Sequence, residues 1–218
     1  MQLTRPLGAM DWERVIVVPI FLFLLVASSY SLFHQRFAAM GQPTGDLMVV
    51  YRVLLAAFYV LSVFLLLTRS AAKAKSGGVL PRVAAYAGTF APLLFGFVGA
   101  QSTSDSIEAG VAIQVAGSGF AVYSLATLRR SFGLAPQVRT LVRTGPYRYI
   151  RHPLYVGELV SLAGVVVVSP SWQRLSIWVA IAAIQGYRAI QEERLLATHE
   201  LQYASYMRTT KRFIPGLF

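Results

Sequence analysis

The sequence predicts an all-α protein that crosses a membrane several times, and three observations lead to this fold class. Of the 218 residues, 56% are hydrophobic and only 13% are charged, whereas a soluble domain carries roughly a quarter charged residues. The mean hydropathy of +0.56 agrees with this deficit of charge. The third observation is a series of six apolar stretches, at residues 14–33, 47–67, 83–100, 109–128, 153–169 and 172–190.

Each apolar stretch is predicted to form one helix, and the first four reach or approach the roughly 20 residues that a spanning helix needs. The stretch 14–33 is long and lacks a small-x-small cleavage site, so we expect a retained helix and not a signal peptide. Only SPSW (169–172) separates the last two stretches. Because Pro170 breaks a helix there, these two are predicted to form a tight antiparallel hairpin.

One membrane domain, residues 1–218, is the expected organisation, since neither length nor composition argues for a second domain. Residues 1–128 would hold four transmembrane helices. Residues 129–218 would form the functional core, which comprises a surface loop, the helical hairpin and an amphipathic tail.

The distribution of charge predicts the orientation. The formal net charge is +11, and basic residues concentrate in loops 69–82 and 129–152, whereas loop 101–108 carries only acids. Cytoplasmic loops of membrane proteins are enriched in Lys and Arg. We therefore expect an integral protein of the cell (inner) membrane whose termini and basic loops are cytoplasmic.

Two classes of function are disfavoured by composition. No basic stretch lies in a soluble domain, so a nucleic-acid partner is not expected. The chain has no cysteine, which excludes disulfides, thiolate nucleophiles and Cys-ligated metals. We predict no metal site.

The segment GPYRYIRHPLYVGE (145–158) carries more charged, aromatic and proline residues than a connecting loop requires. Its Gly-Pro pair predicts a turn, and Pro153 is suited to the first position of a helix. Arg151 and His152 would then lie at a helix N-terminus, which favours an anion. A basic loop that binds anionic lipid headgroups is the alternative. It explains the arginines but not His152, Tyr155 or the buried acid Glu158.

A second cluster lies in YRAIQEERLL (187–196). Arg188 and Glu192 are four residues apart and share a helix face, with Glu193 beside them. Taken alone, this is typical of an ordinary ion pair on an exposed helix end. The hairpin, however, brings residues near 152 and 190 together, which predicts a mixed-charge pocket suited to a zwitterionic small molecule. The tail 198–218 would cover this pocket or lie on the membrane surface.

Three motifs in order resemble the isoprenylcysteine carboxyl methyltransferase family and its relatives, the phospholipid N-methyltransferases. The first is LVRTGPYRYIRHPLYVGE (141–158), and the second is R-x-x-x-E-E at Arg188, Glu192 and Glu193. The third is Y-x-x-Y…R-x-I-P, at Tyr203, Tyr206, Arg212 and Pro215. The resemblance covers the C-terminal part of the chain, while the first half is similar only in being membrane-spanning.

The resemblance implies a membrane methyltransferase that uses S-adenosylmethionine, bound in a cytosolic C-terminal pocket. It implies that Arg151 and Arg188 orient the cofactor or an acceptor carboxylate, and that Glu192 takes part in the reaction site. A lipophilic acceptor would enter sideways from the bilayer. The cofactor-binding residues that it implies are Tyr147, His152, Pro153, Tyr155, Glu192 and Glu193.

The nature of the acceptor stays open. A carboxylate, such as that of an isoprenylcysteine or a similar isoprenoid molecule, is ionised at pH 7 and needs no general base. A phospholipid amine must first lose a proton, for which Glu158 or His152 would be required. Membrane sterol reductases that use NADPH share the RHPxY ending, and a non-enzymatic protein that binds anionic lipids is a further alternative.

Overall fold

The computed structural model describes residues 11–38, 43–99 and 104–216 and is almost entirely helical, which confirms the all-α prediction. Its α-helices are α1 (Trp12–Ala38), α2 (Pro43–Thr68), α3 (Val79–Phe90), α4 (Ser104–Leu128), α5 (Pro153–Val168), α6 (Trp172–His199) and α7 (Tyr203–Thr209). Short 3₁₀ helices cover Ala91–Phe97, Arg129–Ser131 and Gly145–Arg148. Two short strands, β1 (Ala74–Lys75) and β2 (Gln137–Val138), pair antiparallel.

Four segments in the described part of the chain are long and apolar enough to cross a membrane: Glu13–Tyr30, Gly45–Thr68, Val79–Phe97 and Asp105–Ser131. Their outer faces expose large apolar side chains such as Phe23 and Phe64, as lipid contact requires. The chain is therefore an integral membrane protein.

The last two apolar helices differ from these four. At 16 residues, α5 is about 24 Å long, which is shorter than the ~30 Å hydrocarbon core. Helix α6 has 28 residues and carries the buried Arg174 and Arg188. Four of the six predicted spans are therefore supported by length and composition, and the spans of α5 and α6 stay a prediction.

The third span departs from its predicted form. The sequence predicts its start near residue 83, but α3 begins at Val79 and gives way to a 3₁₀ helix at Ala91. Pro92, the second residue of that 3₁₀ helix, has no backbone N–H to continue the α-helical hydrogen bonds. The proline therefore accounts for the change of helix type.

Helices α4 and α5 pack with their backbones almost in contact. A Cβ atom at Gly117 would lie 2.2 Å from the Ser161 nitrogen, and one at Gly157 would lie 2.6 Å from the Ala121 nitrogen. Small residues permit such close approach in membranes. The Ser118 and Ser161 hydroxyls are 2.9 Å apart across the same interface. This contact fixes the position of α5, which carries the candidate site at its N-terminal end.

The α5–α6 connection is as short as predicted, since only Ser169–Ser171 separate the helices. The Ser171 hydroxyl caps α6 by accepting a hydrogen bond from the Arg174 N–H. The Trp178 indole donates to the Leu159 carbonyl at 2.9 Å and holds the two helices together. Most of the packing of α5 is nevertheless with α4, and α6 packs mainly on α3.

Candidate functional site

The segment that precedes α5 has the local structure that the sequence predicts. Gly145 has φ +56°, in the left-handed region, which glycine adopts without strain. His152 is the N-cap of α5 and Pro153 is its first residue. The backbone N–H groups of Arg151 and His152 donate to the carbonyls of Lys211 and Arg212, at 2.8 and 3.1 Å. The tail is thus bound directly to the start of α5.

Glu193 of α6 connects this helix start to the tail. Its Oε1 is 3.1 Å from His152 Nε2 and 3.0 Å from Arg151 Nε. Arg212 donates from Nε to Oε1 at 3.0 Å and from Nη2 to Oε2 at 2.7 Å. Burial alone would raise the pKa of Glu193, but the hydrogen bonds of His152 and Arg212 and the charge of Arg151 lower it to about 2. The carboxylate is therefore ionised and fully engaged.

Glu192, the preceding residue, faces a different set of groups. The Tyr155 hydroxyl donates to Glu192 Oε1. The Tyr155 ring is stacked on His152, with ring centroids 5.4 Å apart and planes inclined by 6°. The Arg188 guanidinium lies 4.8 Å from the centre of the Tyr155 ring. An acid, an imidazole and a guanidinium are thus grouped around one phenol.

Arg188 does not form the ordinary ion pair with Glu192 that was the alternative at this spacing. Within the described residues, its Nη1 donates to Gln185 Oε1 at 2.8 Å and its Nη2 donates to the Leu134 carbonyl at 3.2 Å. Gln185 Nε2 in turn donates to Glu158 Oε2 at 2.7 Å. Gln185 therefore bridges the acid of α5 and the arginine of α6, and it gives Glu158 the partner that the sequence leaves open.

These groups line one cavity of about 450 Å³ that has a polar end and an apolar end. The polar end is formed by 145–155, by α6 and by α7. Helices α1 and α2 and the 3₁₀ helix Ala91–Phe97 contribute the apolar end. The polar lining includes Tyr147, Arg151, His152, Tyr155, Glu158, Arg188, Glu192, Tyr203 and Tyr206. The apolar lining includes Phe21, Leu24, Leu55, Phe58, Tyr59 and Leu93.

The tail covers the polar end through α7. Tyr203 and Tyr206 of α7 are buried and lie on the cavity lining. The Tyr206 hydroxyl donates to the Tyr147 carbonyl at 2.5 Å. Burial raises the pKa of Tyr206 to about 12, so its hydroxyl keeps its proton at neutral pH. Of the two arrangements open for the tail, the described residues 198–216 adopt the one that covers the pocket.

The cavity brings six of the eight predicted site residues together on its lining: Tyr147, Arg151, His152, Tyr155, Arg188 and Glu192. Pro153 and Glu193 lie behind it. Pro153 is fully buried as the first residue of α5, and Glu193 is engaged by three basic side chains. Direct cofactor contact stays a prediction for all eight residues, and the structure gives these two a role in holding the lining in place.

Among the polar residues of the lining that the sequence did not predict are Gln137, Arg139 and Gln185. Gln185 could have been predicted from the sequence, because it is a lone amide in the apolar run of α6, three residues before Arg188. Gln137 and Arg139 carry no comparable local signal. Their position depends on the pairing of β1 with β2, across more than 60 residues of chain.

Comparison with known proteins agrees with the sequence motifs. Residues 106–199 match the model of the phospholipid methyltransferase family. The fold is similar to that of the eukaryotic intramembrane Ras methyltransferase ICMT (isoprenylcysteine carboxyl methyltransferase), with a TM-score of 0.52 and 15% sequence identity over 94% of this chain and 83% of that chain. The resemblance that the three motifs indicate is therefore confirmed by the family match over residues 106–199 and by the similarity of the fold.

Two curated bacterial proteins are similar to shorter parts of the chain. The cobalt-zinc-cadmium resistance protein CzcN of Cupriavidus metallidurans is 38% identical over 80 residues, which are 36% of this chain and 37% of that protein. The nickel-cobalt-cadmium resistance protein NccN of Alcaligenes xylosoxydans xylosoxydans is 37% identical over 79 residues, which are 35% of this chain and 37% of that protein. The match thus spans little more than a third of either relative.

Proposed function

We propose that the chain is an S-adenosylmethionine-dependent membrane methyltransferase whose acceptor is lipophilic and carries a carboxylate, such as an isoprenylcysteine or a similar isoprenoid molecule. The observation that carries this proposal is the continuous cavity. Its polar end groups Arg151, His152, Tyr155, Arg188 and Glu192, and its other end is lined by apolar side chains of α1, α2 and the 3₁₀ helix Ala91–Phe97. A cavity of this kind can take a zwitterionic cofactor and an apolar acceptor side by side.

The polar end fits the cofactor chemically. S-adenosylmethionine carries an α-amino group, a carboxylate and a positively charged sulfonium. Glu192 on the lining suits the amino group, and Arg151 suits the carboxylate, because a guanidinium is a rigid two-point donor. Tyr203 and Tyr206 suit the sulfonium, since aromatic rings attract cations. The cofactor has no phosphates, so no Gly-rich phosphate loop is needed.

The residues of the site would act by alignment and by exclusion of water. S-adenosylmethionine supplies an electrophilic methyl group. A carboxylate acceptor is ionised at pH 7, so the protein need only hold it in line with that methyl group. Arg188, fixed by Gln185 and the Leu134 carbonyl, is suited to hold one carboxylate oxygen. The apolar end and the covering tail would keep water from the reacting atoms.

The charge distribution supports a cytoplasmic position for this polar end. Loop 69–82 carries four basic residues and no acid, and six arginines lie between residues 129 and 151. The second segment contributes Tyr147 and Arg151 to the polar end, and the first pairs with it through β1 and β2. Lys and Arg are enriched in cytoplasmic loops. The cytoplasm is also where a soluble cofactor would have free access to the site.

Methylation of a phospholipid amine is the second candidate. The match of residues 106–199 to the phospholipid methyltransferase family favours it, and Glu158 on the cavity lining could accept the proton that an amine must lose. The fold favours neither candidate, because one fold serves many substrates. The metal-resistance names of CzcN and NccN support no acceptor here, since the similarity covers only 37% of each protein.

Calorimetry on the purified protein in detergent tests the proposal against its competitors. We expect S-adenosylhomocysteine to bind and NADP not to bind. Binding of NADP alone would favour a reductase, and binding of neither would favour a lipid-binding protein without catalysis. Transfer of a labelled methyl group to lipid extracts would then separate an isoprenoid carboxylate from a phospholipid amine, because an ester is released by mild base and an N-methyl group is not.

A further inference from the structure

Arg139 is a buried cation on the cavity lining that the proposed function leaves unused. Its residue is only 5% exposed. Its Nη2 donates to Gln137 Oε1 at 2.6 Å, while its Nε and Nη1 are buried without a hydrogen-bond partner among the described residues. Burial, followed by the neighbouring Arg69 guanidinium, lowers the pKa of Arg139 to about 10, so the side chain is still protonated at neutral pH.

The acids near Arg139 are engaged by other groups. Arg69 Nη2 lies 2.6 Å from Asp11 Oδ1, and Arg69 Nη1 pairs with Glu13 Oε2. The second oxygen of Glu13 accepts from Gln137 Nε2 at 2.7 Å. Among the residues that the structure describes, no carboxylate lies within ion-pair distance of Arg139. A buried charge without a partner is costly, so its retention on a cavity wall indicates that a ligand supplies the anion.

The position of Arg139 indicates the acceptor and not the cofactor. Through Gln137, Arg139 is linked to Glu13 at the start of α1. The same helix contributes Phe21 and Leu24 to the apolar end of the cavity. The candidate cofactor residues come instead from the segment before α5, from α6 and from the tail. Arg139 is therefore associated with the wall that would hold the apolar part of an acceptor.

We propose that Arg139 binds the carboxylate of the lipophilic acceptor and so makes the site select acidic over neutral amphiphiles. This inference rests on the proposed function and adds the residue that recognises the acceptor's charged group. Arg139 is a binding residue in this scheme, and Arg188 orients the same carboxylate toward the cofactor.

The test compares a charged probe with a neutral one of nearly the same size and shape, a fifteen-carbon isoprenoid carboxylic acid and its primary amide. Their affinities are measured by calorimetry on the purified protein in detergent, with S-adenosylhomocysteine present. The native protein should prefer the acid by about tenfold or more, the effect of one hydrogen bond to a charged group. In Arg139→Gln this preference should fall by about tenfold, to the part that Arg188 contributes, and in Arg139→Lys the loss should be smaller because the charge is kept.

The matched control is Arg82→Gln, which removes the same charge from an exposed side chain that is not on the cavity lining. It should keep the native preference for the acid. An unchanged preference in folded Arg139→Gln would overturn the inference. So would a tenfold loss of S-adenosylhomocysteine binding in that variant, because Arg139 would then hold the carboxylate of the cofactor.

The inference and the proposed function fail in different ways. A native protein that does not bind S-adenosylhomocysteine contradicts the methyltransferase, whatever its preference for the acid.

If Arg139→Gln does not fold, a photoreactive analogue with a diazirine beside the carboxylate is applied to the native protein. Labelling within residues 133–142, which line the cavity around Arg139, is the expected result. Labelling confined to other segments would overturn the inference.

Discussion

Arg212 and Glu193 form a two-point ion pair that connects the C-terminal tail to α6, with N–O distances of 3.0 and 2.7 Å. The pair is short, and Glu193 is only 5% exposed. The same carboxylate also contacts Arg151 and His152 at the start of α5. One acid therefore holds three parts of the chain around the polar end of the cavity.

Glu193→Gln should destabilise the protein by about 3 kcal/mol, because it leaves buried basic groups without their counter-charge. The folded-state pKa of about 2 lies below the ordinary 4.5. The ionised form thus stabilises the fold at pH values above about 5, and this contribution is lost as the pH falls toward 2. Thermal unfolding in detergent as a function of pH should show a lower Tm and a weaker acid dependence in the variant.

The control for this change is Glu200→Gln, which removes an acid whose partner is the exposed Lys73. An exposed ion pair contributes little, so its Tm should stay close to the native value. Equal losses in the two variants would contradict the structural role assigned to Glu193.

Glu192→Gln should weaken binding of S-adenosylhomocysteine by about tenfold or more, since a charge-assisted hydrogen bond to the amino group would be lost. The variant should still fold, because Glu192 is more exposed than Glu193 and a glutamine oxygen can still accept the hydrogen bond of the Tyr155 hydroxyl. Calorimetry measures the affinity and thermal unfolding checks the fold. Glu108→Gln, at an exposed acid of α4, is the matched change and should bind normally. Native affinity in Glu192→Gln would place the amino-group contact elsewhere.

The parts of the site that the sequence predicts are those set by local chemistry. The turn at Gly145 and the helix start at Pro153 follow from the backbone preferences of two residue types. The partners of Arg188 and Glu158 could not be predicted in this way. Arg188 has two local partners at helical spacing, Glu192 and Gln185, and its bond to Gln185 is accompanied by a tertiary one to the Leu134 carbonyl, 54 positions away.

The contacts that position Arg139 could not be predicted from the sequence either. Arg69 contacts Glu13 across 56 positions, and Gln137 contacts the same acid across 124 positions. These contacts depend on how α1, α2 and the β1–β2 pair are arranged, which no periodic pattern encodes. The position of Arg139 on the cavity wall follows from this arrangement, so the sequence could not predict it.

Gly157→Ala should destabilise the protein by about 1–3 kcal/mol, the usual cost of overpacking. The new methyl group would lie 2.6 Å from the backbone nitrogen of Ala121 in α4, where only a shift of a helix can make room. Gly186→Ala in α6 is the matched control, because its Cβ meets nothing within 4 Å. Alanine is the better helix former, so this control should be neutral or more stable. Thermal unfolding in detergent compares the two, and an equal response would contradict the close contact of α4 and α5.

Leu55→Trp should block the apolar end of the cavity while leaving the polar end intact. Leu55 of α2 lies on the lining next to Phe58 and Tyr59, and a larger side chain there occupies the space that an acceptor's apolar chain would need. Affinity for a fifteen-carbon isoprenoid acid should fall about tenfold or more, as the loss of one or two buried methylene groups implies. Binding of S-adenosylhomocysteine should not change. Val53→Trp adds the same bulk on the exposed face of the same helix and should alter neither affinity. If Leu55→Trp weakened the thioether and the acid equally, the two ends of the cavity would not be separate sites, and the assignment of the apolar end to the acceptor would fail.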